Sequence, residues 1–410
     1  MKIAIVTGHF MPELGYQEVY LARAYSRLGH CVKVFTSVKV SPIGRKILHN
    51  DYQPGVFADR TYNYEILRLK TFFSFRSKVI SLGLKKKVTA FHPDIILVIG
   101  VSKLFPVSLL NPGIKRAINP GMKIISFFSD AEEYIDRSSF YKKILAAFHT
   151  MRFYWIKRGY YCKAVRFCDH LVLNMPKTET IFRKYLKKRS DIDLFNAKKI
   201  NLSLGFDPGE FYFNEANREE IREKSGILED ECAIITSTRV EKKKNLEKVI
   251  DIISTLKEKG IKVHYIIIGF LGDHYEKELK KYISRQQYPD IFHCYPFMDH
   301  ISLNKYYCSA DLGIWRMMAI SITEAMGTGL PVILEDKSSV NNLVYEHING
   351  WLFKKGSLEK TLQEAVTYLS LMPVDQRLQK RYEIEKFNHG KFSYDVIAGE
   401  IVRKLNIKSD

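Results

Sequence analysis

Short β-branched runs alternate with helical patterns along this chain, and the alternation stops and then begins again near Glu231. In the first half the runs are Ile3 to Gly8, Cys31 to Ser37, Asp94 to Gly100, Lys123 to Ser129 and His170 to Asn174, with a helical stretch from Tyr16 to Leu28 after the first. The second series is Cys232 to Arg239, a helix from Leu246 to Lys259, Val263 to Gly269, Ile291 to Tyr295, Leu312 to Trp315 and Pro331 to Leu334. Near-continuous apolar strands separated by helices bury both faces of a parallel sheet. Two such series predict two doubly wound α/β units, with the polar turn Gly205 to Phe211 as the link. Strands that end facing a cleft would put ligands in the loops at their carboxyl ends.

A length of 410 residues suits two or three domains, because single cores stop growing at roughly 250–300 residues. No apolar run reaches the ~18 residues of a spanning helix, and the opening MKIAIVTGHF reads as a buried strand and not a signal segment. Six scattered cysteines, with no CxxC pair and no histidine cluster at zinc spacing, point to reduced thiols in a cytoplasmic protein and to no metal. The net charge of +19 is lopsided. Residues 1–200 hold 35 Lys and Arg against 14 Asp and Glu, and the remainder 29 against 31. The first half therefore faces an anionic partner, with membrane, nucleic acid and an acidic acceptor as the candidates. No recognition helix, zinc finger or RNP-like aromatic signature accompanies the charge, which ranks nucleic acid last.

The segment Ala310 to Glu335 reads as strand, loop, short helix opening at Ser321, Gly-rich exit and second strand. Backbone amides at such a helix start, near Ile320 and Ser321, attract an anion, and Glu324 in the first turn suits ligand hydroxyls beside it. The competing reading is a capping box, in which Ser321 and Glu324 only satisfy each other's backbone donors. After the strand Cys232 to Ser237, Arg239 and Lys244 suit a diphosphate, the arginine as a fork and the lysine as a point charge; alternatively EKKKN is a solvated basic run. Pro12 and Gly15 suggest a shaped turn after the first strand. In the acidic loop Ser129 to Tyr134, Asp130 is the site candidate, while Glu132 and Glu133 suit a helix N-terminus. Asp191-x-Asp193 has the form of a metal-binding DxD but lies in a charged surface stretch. Residues 141–166 interleave Lys and Arg with Phe, Tyr and Trp, as a helix on an anionic membrane does, or as an ordinary helix with an aromatic core face does.

Taken together, these segments resemble the family-4 retaining glycosyltransferases of GT-B architecture across nearly the whole chain. The matches are GHFMPELGYQEVYLARAYSRLGHCVKVFTS, LGFDPGEF, STRVEKKKN, CSADLGIW through GTGLPVI, and EHINGWLF, in the family's order. The resemblance implies two Rossmann-like domains facing an interdomain cleft. Residues 1–203 would form the acceptor side, 204–388 the nucleotide-sugar domain and 389–410 a C-terminal helix, its return to the first domain left open. It implies a nucleotide-diphosphate sugar held by Arg239 and Lys244, by backbone at Ile320 and Ser321, and by Glu324 on the ribose. Pro296 and Phe297 would border the base, and Gly15 would bring backbone to the leaving phosphate. Asp130, Arg239 and Lys244 would carry the catalysis, with no cofactor and no metal.

Three positions depart from the family pattern. Tyr16 stands where a second glycine is usual, Ser129 precedes Asp130 where a histidine is usual, and Arg316 replaces the first glutamate of a Glu-x7-Glu pair. A uronic acid donor would follow if Arg316 meets a sugar carboxylate. The expectation is a cytoplasmic transferase, peripheral on the inner face of the plasma membrane through its basic half, that extends a glycan or lipid-linked acceptor of an envelope polysaccharide or glycoconjugate. The alternative is a catalytically impaired relative that binds a sugar nucleotide as the partner of a synthesis complex.

Overall fold

The computed structural model describes residues 1–42, 44–75, 78–100, 104–129, 140–336 and 340–405, and of residues 140–153 the backbone alone. The chain forms two compact units, one from Met1 to Ser203 joined by the chain from Ala398, the other from Leu204 to Ile397.

The strands of the first unit are β1 (Lys2–Thr7), β2 (Cys31–Ser37), β3 (Gly55–Asp59), β4 (Tyr64–Leu69), β5 (Thr71–Phe75), β6 (Lys78–Ser81), β7 (Ile95–Ile99), β8 (Lys123–Phe128), β9 (His170–Leu173) and β10 (Lys199–Asn201). Eight of them make one sheet in the order β10-β9-β8-β7-β1-β2-β4-β3, parallel except for β3 at the edge. The central strands are almost wholly apolar: Ile3 to Thr7 and Ile95 to Ile99 are buried at every position, Thr7 alone being polar. That is what a sheet covered on both faces requires. At the edge, β3 is mostly exposed and pairs antiparallel.

The sequence reading names no strand at β3, β4 or β10, and it also missed a hairpin. β5 and β6 form a separate two-stranded hairpin, on which Phe72, Phe73, Phe75 and Ile80 are exposed. It was missed because its apolar residues do not alternate inward and outward as a half-buried strand should.

The basic-aromatic stretch is a 28-residue helix, Phe140–Phe167. Over its described side chains the core-face reading holds. Tyr161, Ala164 and Val165 are buried, and Tyr161 stacks on Phe128 and Tyr185. Trp155 alone among its described aromatics is strongly exposed, with the Arg158 guanidinium 5.3 Å from its ring.

In the second unit six strands, β11 (Cys232–Ser237), β12 (Val263–Phe270), β13 (Phe292–Pro296), β14 (Leu312–Trp315), β15 (Val332–Glu335) and β16 (Gly350–Phe353), lie parallel in the order β13-β12-β11-β14-β15-β16. The order reverses between β11 and β14, which leaves a crevice at their carboxyl ends, the usual ligand position in such sheets. The expected link Gly205 to Phe211 is stitched into this unit, Phe206 exchanging backbone hydrogen bonds with Phe392 and Tyr394. The backbone after β11 packs onto the end of β12, and only glycine permits this. Gly269 has φ +121°, and a Cβ there would lie 2.1 Å from the Thr238 carbonyl oxygen. Gly269→Ala is expected to cost about 2–4 kcal/mol, from left-handed strain plus the clash, read as a lowered urea midpoint with unchanged slope.

Candidate functional site

The crevice between β11 and β14 gathers most of the residues picked out in the second half of the sequence. Strand β11 ends at Ser237, and Arg239 and Lys244 follow in its loop; β14 ends at Trp315, followed by Arg316, Met318 and the short helix Ser321–Gly327. The two loops are tied together. Lys244 Nζ donates to the Met318 carbonyl at 3.3 Å, and Arg316 Nη1 donates to the Asn245 carbonyl at 3.1 Å. Asn245 takes the left-handed conformation, φ 49°, which an asparagine tolerates better than most residues.

Ser321 decides between the two readings of its helix. Its Oγ donates to the Ser237 carbonyl at 2.6 Å, and the helix has no side-chain cap. The capping box is therefore not formed, and Ile320 occupies the N-cap position. The Ser237 carbonyl also accepts from the Trp315 indole at 2.9 Å, and the Ser237 hydroxyl pairs with Tyr307 at 2.6 Å. Glu324 is 5% exposed and lies beside Tyr307, whose phenol is pushed well above its ordinary range by burial first and by the Glu324 charge second. Thr236, Ser237, Tyr307 and Trp315 were not singled out in the sequence; short polar residues inside apolar strands carry no spacing signal.

The electrostatics of the loop are asymmetric. Burial first and then the Lys243 charge push the Lys244 ammonium down to about 8, with Glu241 pulling the other way and Arg239 adding the least. Burial works to raise the Glu241 carboxyl, but its hydrogen bond with Lys243 and the charges of Arg239, Lys243 and Lys244 hold it below the ordinary carboxylate range. Arg239 pairs with Glu241 at 2.9 Å and stays partly exposed. Lys244 is thus no solvated surface cation. Arg316 leaves its buried Nε without a hydrogen-bond partner among the described residues. Pro296 and Phe297 lie at the carboxyl end of β13, two strands from β11, where the Phe297 amide donates to the Phe270 carbonyl.

In the first unit, Gly15 ends a 3-10 turn (Pro12–Leu14) in the left-handed conformation, φ 53°, directly before the helix Gln17–Arg27. Behind it Gln17 Oε1 accepts from Ser129 and from Asn174, both at 2.8 Å, so the carboxyl ends of β8 and β9 are anchored on that helix. Asp130, Glu132 and Glu133 lie outside the described residues. Asp191 is buried in a two-pronged ion pair with Arg166 (2.8 and 2.9 Å), which accounts for one half of the DxD pattern without a metal. Among the described residues no three His, Cys, Asp or Glu side chains converge as a metal site, and no helix is long and apolar enough to cross a membrane.

Two doubly wound parallel sheets, the second carrying a crevice lined by cations, define a GT-B protein. Residues 217–386, within the second unit, match the family described as Glycosyl transferases group 1. The amylovoran biosynthesis glycosyltransferase AmsK of Erwinia amylovora is 27% identical over 174 residues, 40% of each chain. The alpha-monoglucosyldiacylglycerol synthase of Streptococcus pneumoniae is 24% identical over 205 residues, 48% of this chain and 46% of that one. The chain thus spans less than half the length of these curated relatives. Anabaena HepE, solved in complex with UDP-glucose, superposes over 99% of both chains with a TM-score of 0.65 at 17% identity.

A lysine whose folded value lies below its unfolded value binds fewer protons when folded. Stability should therefore rise with pH between about 8 and 10.5 on account of Lys244. Lys244→Met is expected to be more stable than the parent at pH 7 and to lose that advantage by pH 10.5, in urea denaturation across that range.

Proposed function

We propose that this protein is a retaining glycosyltransferase of polysaccharide or glycoconjugate synthesis that moves a sugar from a nucleotide-diphosphate donor to a glycan or lipid-linked acceptor. The observation that carries the reading is the partly buried Lys244 ammonium, held with Arg239 at the point where the strand order reverses. A cation kept charged below about pH 8 in a desolvated crevice is costly unless an anion meets it. The diphosphate is that anion.

In this reading Arg239 and Lys244 neutralise the charge that grows on the leaving diphosphate, and the backbone at Ile320 and Ser321 adds preorganised donors. Glu324 accepts from the ribose, and backbone near Pro296 and Phe297 borders the base. The sugar passes through an oxocarbenium-like state, is attacked on the face the phosphate leaves, and the departing phosphate takes the acceptor's proton. The roles of Gly15 and Asp130 belong to the same proposal. Two cations supply the charge a metal would otherwise bring. Arg316, directly after β14 at the crevice, favours a donor sugar bearing a carboxylate.

Titration calorimetry with UDP, GDP, ADP and their glucose and glucuronate conjugates tests this. The fitting nucleotide should bind, and Arg239→Ala with Lys244→Ala should weaken it at least a hundredfold. No binding of any of these, or equal binding by the double variant, sinks the proposal. Because the diphosphate raises the Lys244 value, affinity should be full below about pH 8 and decline above it. Lys244→Arg, charged throughout, should flatten that decline. Binding without transfer or hydrolysis on any donor would favour the catalytically impaired alternative.

The peripheral, inner-face location is also part of the proposal, and the hairpin supports it better than the long helix does. Phe72 is 75% exposed and Leu82 70%, beside the basic run Lys85-Lys86-Lys87. Aromatics flanked by lysines suit an anionic lipid surface. Phe72→Ser with Leu82→Ser should release the protein from phosphatidylglycerol vesicles in flotation at 0.1 M salt. Flotation unchanged by that pair would remove the hairpin from the account.

A further inference from the structure

Two buried tyrosine hydroxyls meet neighbouring residues of β11, and their hydrogen-bond chains end in different places. Tyr265 on β12 and Tyr307 on the helix His300–Ser309 are both 0% exposed. The Tyr265 hydroxyl donates to Thr236 Oγ1 at 2.7 Å, and Thr236 in turn donates to the Ile314 carbonyl at 2.7 Å. That chain begins and ends inside the sheet, bracing β11 against β12 and β14. The Tyr307 hydroxyl pairs with Ser237 Oγ at 2.6 Å, at the last residue of β11. The carbonyl of the same Ser237 holds the Ser321 hydroxyl at 2.6 Å. This second chain therefore leaves the sheet and enters the short helix Ser321–Gly327.

Glu324 stands within one turn of Ser321 on that helix and is buried. A helix of seven residues makes too few internal hydrogen bonds to hold its own direction. Ties to distant groups hold it instead. Thr323 Oγ1 donates to the Gly205 carbonyl at 2.8 Å, and at the exit the Met326 and Thr328 carbonyls accept from Asn388 at 2.8 Å and Arg381 at 2.6 Å. At the helix start, beside the crevice, the tie is Ser321 on Ser237. Burial first and the Glu324 charge second push the Tyr307 phenol up, while hydrogen bonding with the Ser237 and Ser321 side chains works the other way. Ser237, Ser321 and Glu324 thus share one neighbourhood around the Tyr307 hydroxyl.

A buried phenol is a costly way to fill space that phenylalanine would fill, because its hydroxyl must find a partner. Here the partner is the residue that holds the start of the Glu324 helix. A carboxylate that reads two neighbouring hydroxyls has to be held in place by the groups behind it, since a shift of about 1 Å forfeits the bonds. We propose that Tyr307 is the positioning residue of the ribose site: through Ser237 and Ser321 it fixes the turn that carries Glu324, and so lets the crevice tell a ribonucleotide from its deoxy counterpart. The inference rests on the transferase reading, in which Glu324 accepts from the ribose.

Calorimetry on the full chain tests this with whichever of UDP, GDP and ADP binds best and with its 2′-deoxy and 3′-deoxy counterparts. The parent should favour the ribonucleotide over at least one deoxy form by roughly thirtyfold, because the missing hydroxyl leaves a buried acceptor unpaired. Tyr307→Phe should cut that ratio about fivefold or more, by weakening the ribonucleotide while the deoxy forms bind as before. Tyr265→Phe loses a hydrogen bond of similar length from an equally buried ring, and should leave the ratio unchanged whatever it does to the melting temperature. Should Tyr307→Phe not fold, Ser321→Ala at a half-buried position removes the other link and should cut the ratio likewise. A ratio that survives the folded variant, or one that falls equally in Tyr265→Phe, would overturn the proposal and mark Tyr307 as core packing alone. A parent that binds nucleotide without preferring the ribose would remove the Glu324 role, and this inference with it, while sparing the diphosphate cations. No nucleotide binding at all would overturn the transferase reading itself and everything that rests on it.

Discussion

The carbonyl of Ser237 accepts from the Trp315 indole and from the Ser321 hydroxyl, and the arrangement of the crevice between β11 and β14 depends on that shared acceptor. Strands β11 and β14 are neighbours only because the chain reverses direction of growth between them, so no local sequence preference brings their ends together. Once Trp315 is buried against the end of β11, the loop after it must turn across that end, and Ser321 closes the turn. The Ser321 hydroxyl thereby leaves the helix start, whose amides are no longer occupied by a side-chain cap. Lys244 and Arg316 complete the tie by each donating to a carbonyl of the facing loop. A buried hydrogen bond of this kind contributes about 1 kcal/mol by itself, yet it selects one loop conformation from many.

The unit holds its charge unevenly. At the carboxyl ends of the strands Arg239 and Lys243 pair with Glu241, the near counter-ion of the loop that also carries Lys244. At the amino ends, Arg218, Arg222 and Arg377 surround the single carboxylate of Asp311. Both arrangements keep positive charge in partly desolvated positions, where each cation costs stability unless paired. Apolar β14 runs between them as one short buried strand.

Much of this was legible in the residues. Runs such as Ile95 to Ile99 can only be central strands of a covered sheet, and the boundaries of β2 and β14 came out as read. Arg239, Lys244 and Ser321 stood out because their types suit a diphosphate and they follow strands. What failed had physical causes. The β5–β6 hairpin buries too little to show a period, and an exposed phenylalanine looks the same in sequence as a core one. Asp191 suggested a metal pattern until its partner Arg166, 25 residues earlier, was seen to occupy both oxygens.

Amino-acid order alone therefore determined two parallel α/β units and the loops that carry the cations, because apolar periodicity and strand-end position are local properties. Tertiary structure decided the rest. Whether Ser321 caps its helix or braces β11, whether Lys244 is solvated or held at about 8, and which arginines meet the Asp311 carboxylate all depend on which distant groups share a few ångströms of low-dielectric space. Burial and pairing are set by that proximity, and no spacing along the chain encodes it.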